Sequence, residues 1–264
     1  MEVSIMMRSL LTAATGMESQ QTNIDTIANN LANVNTNAFK RSRANFHDLL
    51  YQTVRAAGQS ATTGTVVPSG IQIGAGSRLA SVDKLFTEGG IKVTERNLDF
   101  MIEGQGFFRI QKDDGTIGYT RDGHLDKDNT GRLVTSDGFP LVPEITIPQN
   151  ATDLNVGMDG IVTVKVDGET QELGQVQVAT FINPAGLQSA GRNLYSPTRA
   201  SGEPVVGNPN QGGVGRIAQY QLENSNVNIV EEMVNMITGQ RAYEINSKVI
   251  STSDQMLQTT NNVR

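Results

Sequence analysis

Apolar residues recur with a helical period at both ends of the chain. Near the start they follow alternating steps of four and three residues, with Gln21 filling one slot: Leu10, Ala14, Met17, Ile24, Ala28, Leu31 and Asn35. Near the end the same alternation runs through Ile229, Met233, Met236, Gln240, Tyr243, Ser247, Ile250, Asp254 and Leu257. An average step of about 3.5 residues is typical of a coiled-coil seam. The pattern therefore predicts a long helix at each end, packed in a coiled-coil-like manner.

A second apolar stripe runs beside the first one on the C-terminal segment: Val230, Val234, Ile237, Ile245, Val249 and Met256. This face is broad enough to contact more than one neighbouring helix, whereas the polar slots weaken any single pairing. Asn228, with Glu231 three residues later, is a suitable capped start for this helix. Two interpretations stay open: the ends pair as an ordinary antiparallel hairpin, or they become ordered only against other chains.

Helix-breaking residues are confined to the middle of the chain. All 8 prolines and 25 of the 27 glycines lie between Phe46 and Gln221. The fold class predicted is therefore α+β, with terminal helices and a central, mostly antiparallel β domain. The predicted division is an N-terminal helical polymerisation segment (1–45), an extended arm (46–70), a central β domain (71–221) and a C-terminal helical polymerisation segment (222–264).

The pattern in the middle of the chain predicts short strands separated by tight turns. Four runs of β-branched or aromatic residues predict strands: 107–110, 132–134, 161–166 and 176–181. Five Asp-Gly pairs predict hairpin turns, at 114–115, 122–123, 137–138, 159–160 and 167–168.

Composition narrows the possible functions. The chain has 27 acidic and 21 basic side chains, a net charge of -6, and no Cys. Nucleic acid is a poor partner for an acidic chain, and disulfides and thiolate metal sites are excluded. The apolar run Leu10–Ala14 is shorter than the core of a signal peptide, so no cleaved signal and no membrane insertion are expected.

The sequence contains only weak indications of a catalytic, cofactor-binding or metal-binding site. His47 and His124 are 77 positions apart, and no partner arrangement accompanies either. Gly74-Ala75-Gly76 lacks the third glycine of a dinucleotide loop, and the Asp126–Asp137 segment lacks the flanking helices of a calcium loop. We therefore predict no catalytic residue, no cofactor and no metal. Carboxylate pairs are too numerous to dismiss, which leaves a secreted carbohydrate-binding or carbohydrate-active protein as an alternative.

Several motifs resemble those of the bacterial flagellar rod and hook protein family. The N-terminal motif is Ala28-Asn29-Asn30-Leu31-Ala32-Asn33-Val34-Asn35-Thr36, followed by Phe39-Lys40. The C-terminal motifs run from Glu223 to Asn228, from Glu231 to Ile237 and from Gln240 to Lys248. Gly106-Phe107-Phe108 and Tyr119–Gly123 resemble the family's β core. Met7 to Met17 is similar to the start of its distal rod subunit, so the true start is either Met1 or Met7.

The resemblance implies a structural function and no enzymatic activity. It implies a distal rod subunit that assembles helically through its terminal helices into a hollow shaft carrying motor torque to the hook. Expected partners are further copies of the chain, proximal rod proteins, the hook protein and surrounding ring proteins. It also implies a rod spanning the periplasm, reached by flagellar type III export without a cleaved signal peptide. A proximal rod subunit is the alternative within the family.

The self-assembly contact is expected at positions on both helices and on the turn after the first one. These residues are Ile24, Leu31, Asn33, Val34, Phe39, Met233, Ile237, Tyr243, Ile250 and Leu257. The asparagines at 29, 30, 33 and 35 either set the register between subunits or cap the helix end, and both roles stay open.

Overall fold

The computed structural model describes residues 2–58, 60–62, 65–66 and 68–262. These residues form two compact units. Unit 1 contains the described residues of Met1–Ala32, Ser42–Asp83 and Asn228–Arg264, and unit 2 contains Asn33–Arg41 and Lys84–Val227. Helical ends and an antiparallel β centre confirm the predicted α+β class.

Unit 1 contains two long helices and a ribbon of paired strands. Its elements are α1 (Glu2–Ala32), β1 (Ser42–Asp48), β2 (Gln52–Arg55), β3 (Ser60–Thr62), β4 (Thr65–Val66), β5 (Ile71–Ile73), β6 (Ser77–Lys84) and α2 (Ile229–Asn262). The strands pair in nested order, β1 with β6, β2 with β5 and β3 with β4. The predicted arm is therefore a long hairpin, and its residues 59, 63, 64 and 67 lie outside the described residues.

Both helices are shorter than the breaker-free segments that predicted them. α1 ends at Ala32, and a turn follows in which the backbone N–H of Thr36 donates to Asn33 O at 3.2 Å. Asparagine and threonine side chains compete with helical hydrogen bonds, so the absence of Gly and Pro does not ensure a helix. At the other end, α2 begins at Ile229, and Asn228 Oδ1 accepts from the N–H groups of Val230 and Glu231. The predicted cap is confirmed.

Unit 2 is built from short antiparallel strands. They are β7 (Ile91–Val93), β8 (Phe100–Glu103), β9 (Phe107–Gln111), β10 (Ile117–Thr120), β11 (Leu125–Lys127), β12 (Leu133–Thr135), β13 (Ala151–Val156), β14 (Ile161–Val166), β15 (Glu169–Gln175), β16 (Val178–Thr180), β17 (Gln188–Gly191), β18 (Leu194–Ser196), β19 (Val205–Gly207), β20 (Arg216–Gln219) and β21 (Gln221–Glu223). The largest sheet has the order β17-β18-β10-β9-β16-β19, and a second has the order β13-β14-β15. Two-stranded ladders join β11 to β12, β8 to β20 and β7 to β21.

The core of unit 2 lies where these sheets pack together. Alternate strand residues point inward, as the two-residue period of a strand requires. Its members include Phe108, Ile110, Leu125, Leu141, Val162 and Val178, each 0% exposed. A second cluster contains Phe107, Tyr119, Phe181 and Tyr195, whose rings meet edge to face.

Four of the five predicted Asp-Gly turns reverse the chain locally. Between β14 and β15, Asp167 and Gly168 both have positive φ, as a two-residue hairpin turn of this type requires. The exception is Asp122-Gly123, which joins β10 to β11 in different sheets. A Cβ on Gly123 would overlap the carbonyl oxygen of Phe100, so this glycine permits a close backbone approach.

Over the described residues, no helix is both long and apolar enough to span a membrane.

Candidate assembly surface

The two long helices of unit 1 pair with each other in an antiparallel arrangement. Asn30 Nδ2 donates to Glu232 Oε2 at 3.1 Å, and Gly239 lies against Ile24. Gly16 lies against Asn246. Moving from Asn30 to Gly16 along α1 takes 14 residues backward, and moving from Glu232 to Asn246 along α2 takes 14 residues forward. The helix pair has one register along its length.

The contact between the helices is made mainly by small and polar residues, with Ile24 packed against Gly239. Positions 16, 23 and 30 of α1 face positions 246, 239 and 232 of α2, at seven-residue steps on both helices. We call these six residues the seam: Gly16, Asn23, Asn30, Glu232, Gly239 and Asn246. A Cβ on Gly16 would lie 2.9 Å from Asn246 Nδ2, so the helices approach closely at the glycine positions. Few large apolar side chains are buried by this contact.

The seam differs from the apolar stripes in the sequence. Of the N-terminal stripe, Leu10, Met17, Ile24 and Leu31 are half-buried, while Ala14, Gln21 and Ala28 are exposed. Of the C-terminal stripe, Met236, Ile250 and Leu257 are half-buried, while Ile229, Met233, Gln240, Tyr243, Ser247 and Asp254 are exposed. Within one chain, the half-buried positions of each stripe belong to one seven-residue series. The seam lies one residue before the series 17, 24, 31 on α1 and one residue before the series 233, 240, 247 on α2, because glycine and amide side chains permit a closer approach there.

Large apolar side chains are exposed on the surface of α2 that points away from the seam. Residues separated by two positions on a helix point in directions about 200° apart. Ile237 therefore lies nearly opposite Gly239, and Val230 lies nearly opposite Glu232. We call this surface the outer face of α2. Its residues are 51–71% exposed: Val230, Val234 and Ile237 lie nearly opposite the seam, and Met233, Ile245 and Met256 lie at the sides, about 80–100° from it.

The predicted assembly residues divide into three groups. Met233, Ile237 and Tyr243 are exposed on α2, at 51%, 57% and 37%. On the helices, Ile24, Leu31, Ile250 and Leu257 are half-buried. Asn33, Val34 and Phe39 belong to unit 2, where Asn33 Oδ1 accepts from the Thr36 hydroxyl and Lys84 Nζ lies 4.9 Å from the Phe39 ring centroid. The structure thus does not gather all ten residues on one surface of a single chain.

Asn30 and Glu232 have important contacts that the apolar pattern missed. Asn30 is 1% exposed, donates to the backbone oxygen of Ser42 at 2.8 Å and accepts from the N–H of Ser42 at 2.8 Å. Its side chain thereby joins α1 to β1 as well as to α2. The detectable signal was the seven-residue spacing of Gly16, Asn23 and Asn30, which hydrophobicity alone does not reveal.

A buried ion cluster in unit 2 involves both family motifs. The Glu223 carboxylate accepts from Lys40 Nζ at 2.5 Å, from Arg121 Nε at 2.8 Å and from the N–H of Gly89 at 2.9 Å. Burial alone would raise the pKa of Glu223, but the charges of Arg121 and Lys40 outweigh it and hold this pKa below its usual value. Burial lowers the pKa of Lys40, and the shared carboxylate compensates only in part.

The other candidate groups form ordinary structural contacts. His124 Nδ1 lies 2.9 Å from Asp99 Oδ1, and Arg96 contacts both His124 and Asp126. Asp128 Oδ1 accepts from the N–H of Thr130, as in a side-chain-stabilised turn. In the part of the chain that is described, no group of three or more His, Cys, Asp or Glu residues is placed to hold a metal ion.

Three family models match the chain. They are a flagella basal body rod protein model at residues 10–40, a flagellar hook protein FlgE/F/G D1 domain at 101–164, and a flagellar basal body rod FlgEFG protein C-terminal model at 218–263. A flagellar basal-body rod protein FlgG of Buchnera aphidicola subsp. Acyrthosiphon pisum (strain APS) is 52% identical over 255 residues, covering 96% of this chain and 98% of the relative. Another FlgG, from Borreliella burgdorferi, is 49% identical and covers 98% of this chain and 99% of the relative. The chain belongs to the flagellar basal-body rod protein family.

As a member of the basal-body rod family, the chain is a structural subunit of the flagellar basal body, and the resemblance found in its sequence is confirmed. A more distant relative, the flagellar hook-basal body complex protein FlhP of Bacillus subtilis, is 33% identical over 272 residues and covers 98% of this chain. The comparisons give no support to a carbohydrate-binding or carbohydrate-active protein. The hairpin arm of this rod-family chain falls between the matched segments, since it lies between residues 40 and 101.

Proposed function

We propose that this chain is a distal rod subunit that polymerises helically through α1 and α2 into a rigid hollow shaft. The shaft transmits motor torque to the hook. The observation that carries the proposal is the outer face of α2, which exposes large apolar side chains while the seam buries small and polar ones. A folded monomer rarely leaves a contiguous apolar surface exposed unless that surface binds something.

The outer face of α2 is suited to a contact with another copy. Fully burying one large aliphatic side chain stabilises a complex by about 1.5–3 kcal/mol relative to exposure. Several such side chains together can offset the cost of ordering a terminal helix. The helices therefore contribute more to the filament than to the single subunit, and the terminal segments 1–45 and 222–264 act as polymerisation segments.

The outer surface of α1 is a suitable receiving surface for this contact. Along most of its length the exposed positions are small or polar: Ala14, Glu18, Gln21, Asp25, Ala28 and Ala32. Large side chains of α2 can pack over alanines of the next copy. A contact between two different surfaces repeats from copy to copy without closing, which produces a helical array.

The hairpin arm supports a distal rather than a proximal position in the rod. It exposes Leu50 at 90%, Tyr51 at 55% and Val54 at 59%, and a two-stranded ribbon is only marginally stable on its own in water. We propose that the arm (46–70) bridges neighbouring subunits and stiffens the shaft. The FlgG relatives and this arm together favour the distal rod.

The same function implies partners and a route of delivery. Proximal rod proteins, the hook protein and the rings around the rod are the expected neighbours, and the chain acts without enzymatic activity. Export in an unfolded form through the flagellar type III apparatus, without a cleaved signal peptide, would deliver it to the periplasmic part of the rod. A helix pair that gains further stability on assembly suits such a route.

The outer face is tested by Ile237→Asp, which places a charge in the proposed contact. We expect loss of swimming when the variant is the only copy in the cell, and no rod distal to the point of incorporation in purified basal bodies examined by electron microscopy. Ile182→Asp is the matched control, because Ile182 is 88% exposed in unit 2. Normal rods from Ile237→Asp would refute this assignment of the surface.

The arm is tested by removing its outer part. Arg55 and Ile71 pair directly, so residues 57–69 can be replaced by a two-residue turn without changing β2 or β5. We expect rods that still form but bend more, as measured by curvature in electron micrographs. Equally straight and stiff rods would contradict a bridging function of the arm.

A further inference from the structure

We propose that the buried cluster around Glu223 sets the register in which α1 and α2 pair. The cluster is named the clamp and consists of Lys40, Arg121, Glu223 and Asn226. It lies within unit 2 and joins the segment that follows α1 to the segment that precedes α2. The inference rests on geometry within one chain and does not depend on the proposed function.

The clamp holds the two segments side by side through backbone and side-chain hydrogen bonds. The N–H of Ala38 donates to Glu223 O at 2.7 Å, and the N–H of Arg41 donates to Asn226 Oδ1 at 2.7 Å. The N–H of Asn226 donates to Phe39 O at 3.3 Å. Residue 38 is therefore fixed beside residue 223.

The charges in the clamp make this arrangement costly to change. Lys40, Arg121 and Glu223 are 0%, 4% and 2% exposed, and one carboxylate forms ion pairs with both cations. Separating them would leave buried charges without a partner, which is strongly unfavourable. Asn226 Nδ2 adds bonds to the backbone oxygens of Leu85 and Thr87 at 2.8 and 3.2 Å.

The seam itself distinguishes poorly between registers. Its positions are Gly16, Asn23 and Asn30 on one helix and Asn246, Gly239 and Glu232 on the other, repeating every seven residues. A slip by seven residues would pair Gly16 with Gly239 and Asn23 with Glu232. A slip in the other direction would pair Asn23 with Asn246 and Asn30 with Gly239. In both alternatives the facing residues are glycines, asparagines or Glu232, the same kinds as in the observed register, so neither creates a severe clash.

The clamp removes these alternatives through the length of the connections. Residues 33–37 link Ala38, which lies beside Glu223, to α1, and residues 227–228 link Asn226 to α2, so both connections are short. A slip by seven residues shifts one helix by about 10 Å along its axis. One of the two connections would then have to span about 10 Å more than it does. The connection after α1 resists this change, because the hydrogen bonds between Asn33 and Thr36 hold it in a compact turn. Only the observed register satisfies both connections.

Disulfide formation between two introduced cysteines reports the register directly, because the chain contains no Cys of its own. Gly16→Cys with Asn246→Cys reports the observed register, and Asn23→Cys with Asn246→Cys reports a slip by seven residues. A disulfide requires Cα atoms within roughly 7 Å, so each pair closes in only one register. Each pair is introduced into the full-length chain with an intact clamp, with Glu223→Gln, with Lys40→Met, and with Arg132→Met as a control that removes an ion pair outside the clamp. Intramolecular disulfides are quantified on non-reducing gels, for the soluble protein and for basal bodies that contain it.

With the clamp intact we expect the first pair to form at least about tenfold more disulfide than the second. With Glu223→Gln or Lys40→Met, we expect the two pairs to form comparable amounts, while Arg132→Met behaves like the intact chain. Lys40→Met keeps the ion pair between Arg121 and Glu223 and is therefore less disruptive. If Glu223→Gln unfolds unit 2, the ratio of the two disulfides in Lys40→Met provides the test. An unchanged preference for the first pair in a folded clamp variant would overturn the proposal. So would abundant slipped disulfide in the intact chain.

Discussion

The β core of unit 2 and the helix pair of unit 1 place their large apolar side chains in opposite ways. In unit 2, Phe108 and Ile110 are 0% exposed and lie inside the sheets. In unit 1, the buried positions include Asn30 and Glu232, while Ile237 is 57% exposed. Unit 2 therefore obtains its hydrophobic stabilisation within one chain, whereas large apolar side chains of α2 stay exposed, as the proposed contact with another copy requires.

The largest effect on stability is expected from a substitution that creates a cavity in the core of unit 2. Phe108→Ala should lower the free energy of unfolding by about 3–5 kcal/mol, because a fully buried ring is lost and the sheets cannot close the space. Urea denaturation followed by circular dichroism measures the change. The control Ile182→Ala, at an exposed position of the same unit, should change it by less than about 0.5 kcal/mol. Similar effects at both positions would contradict a closed core.

A second test uses a buried phenol in unit 2. Burial raises the pKa of Tyr195 to about 12, so the folded protein favours the neutral form. The unfolded chain ionises this group near pH 10, so the free energy of unfolding should fall as the pH rises from about 10 to 12. Over that window Tyr195 accounts for a loss of about 2–3 kcal/mol. Tyr195→Phe should be spared this part of the loss, whereas parallel pH curves for both proteins would show that the phenol is not buried.

The close approach of the helices provides a third test, in unit 1. In Gly239→Leu the side chain would meet Ile24, since even a Cβ would lie 3.3 Å from Ile24 Cγ1. We expect the helix pair to lose about 1–3 kcal/mol through overpacking, with no change in unit 2. Hydrogen exchange should become faster along α1 and α2 only. Gln240→Leu is the matched control at the neighbouring exposed position, and equal exchange in the two variants would argue against the seam.

The smallest effect on the single chain is expected at the outer face of α2. Met233→Gln should change the free energy of unfolding by less than about 0.5 kcal/mol, because the side chain is already 51% exposed. Its effect should instead appear as fewer or shorter rods in electron micrographs. A large loss of monomer stability with normal rods would reverse the assigned roles of the two faces.

The sequence predicted the class of the fold because its two signals were strong. Terminal periodicity and a middle rich in Gly, Pro and Asp-Gly pairs are local properties, and they led to both helices and, at the correct residues, to β14. The helix ends were less accurate, since Asn33 and Thr36 end α1 by a hydrogen-bonded turn and not by a breaker. The nested arm was predicted only as an extended segment, because the pairing of Arg55 with Ile71 depends on contacts between distant residues.

The seam could not be predicted from hydrophobicity for a physical reason. Apolar stripes show which side chains avoid water, but they do not show whether the partner is in the same chain or in another copy. The buried Asn30 and the two helix glycines mark the contact within the chain, and all three are ordinarily weak helix formers. Likewise, the motifs containing Lys40 and Glu223 were recognised separately, and only the fold shows that they are partners.

The nested pairing of the arm has an evolutionary consequence. β1 and β6 lie side by side where the hairpin starts and ends, so the chain returns to the point from which it departed. Residues can therefore be gained or lost in equal numbers on the two strands without moving anything outside the hairpin. Such a segment can change its reach in small steps under selection, while the helices and the β unit on either side of it keep their sequences and their geometry.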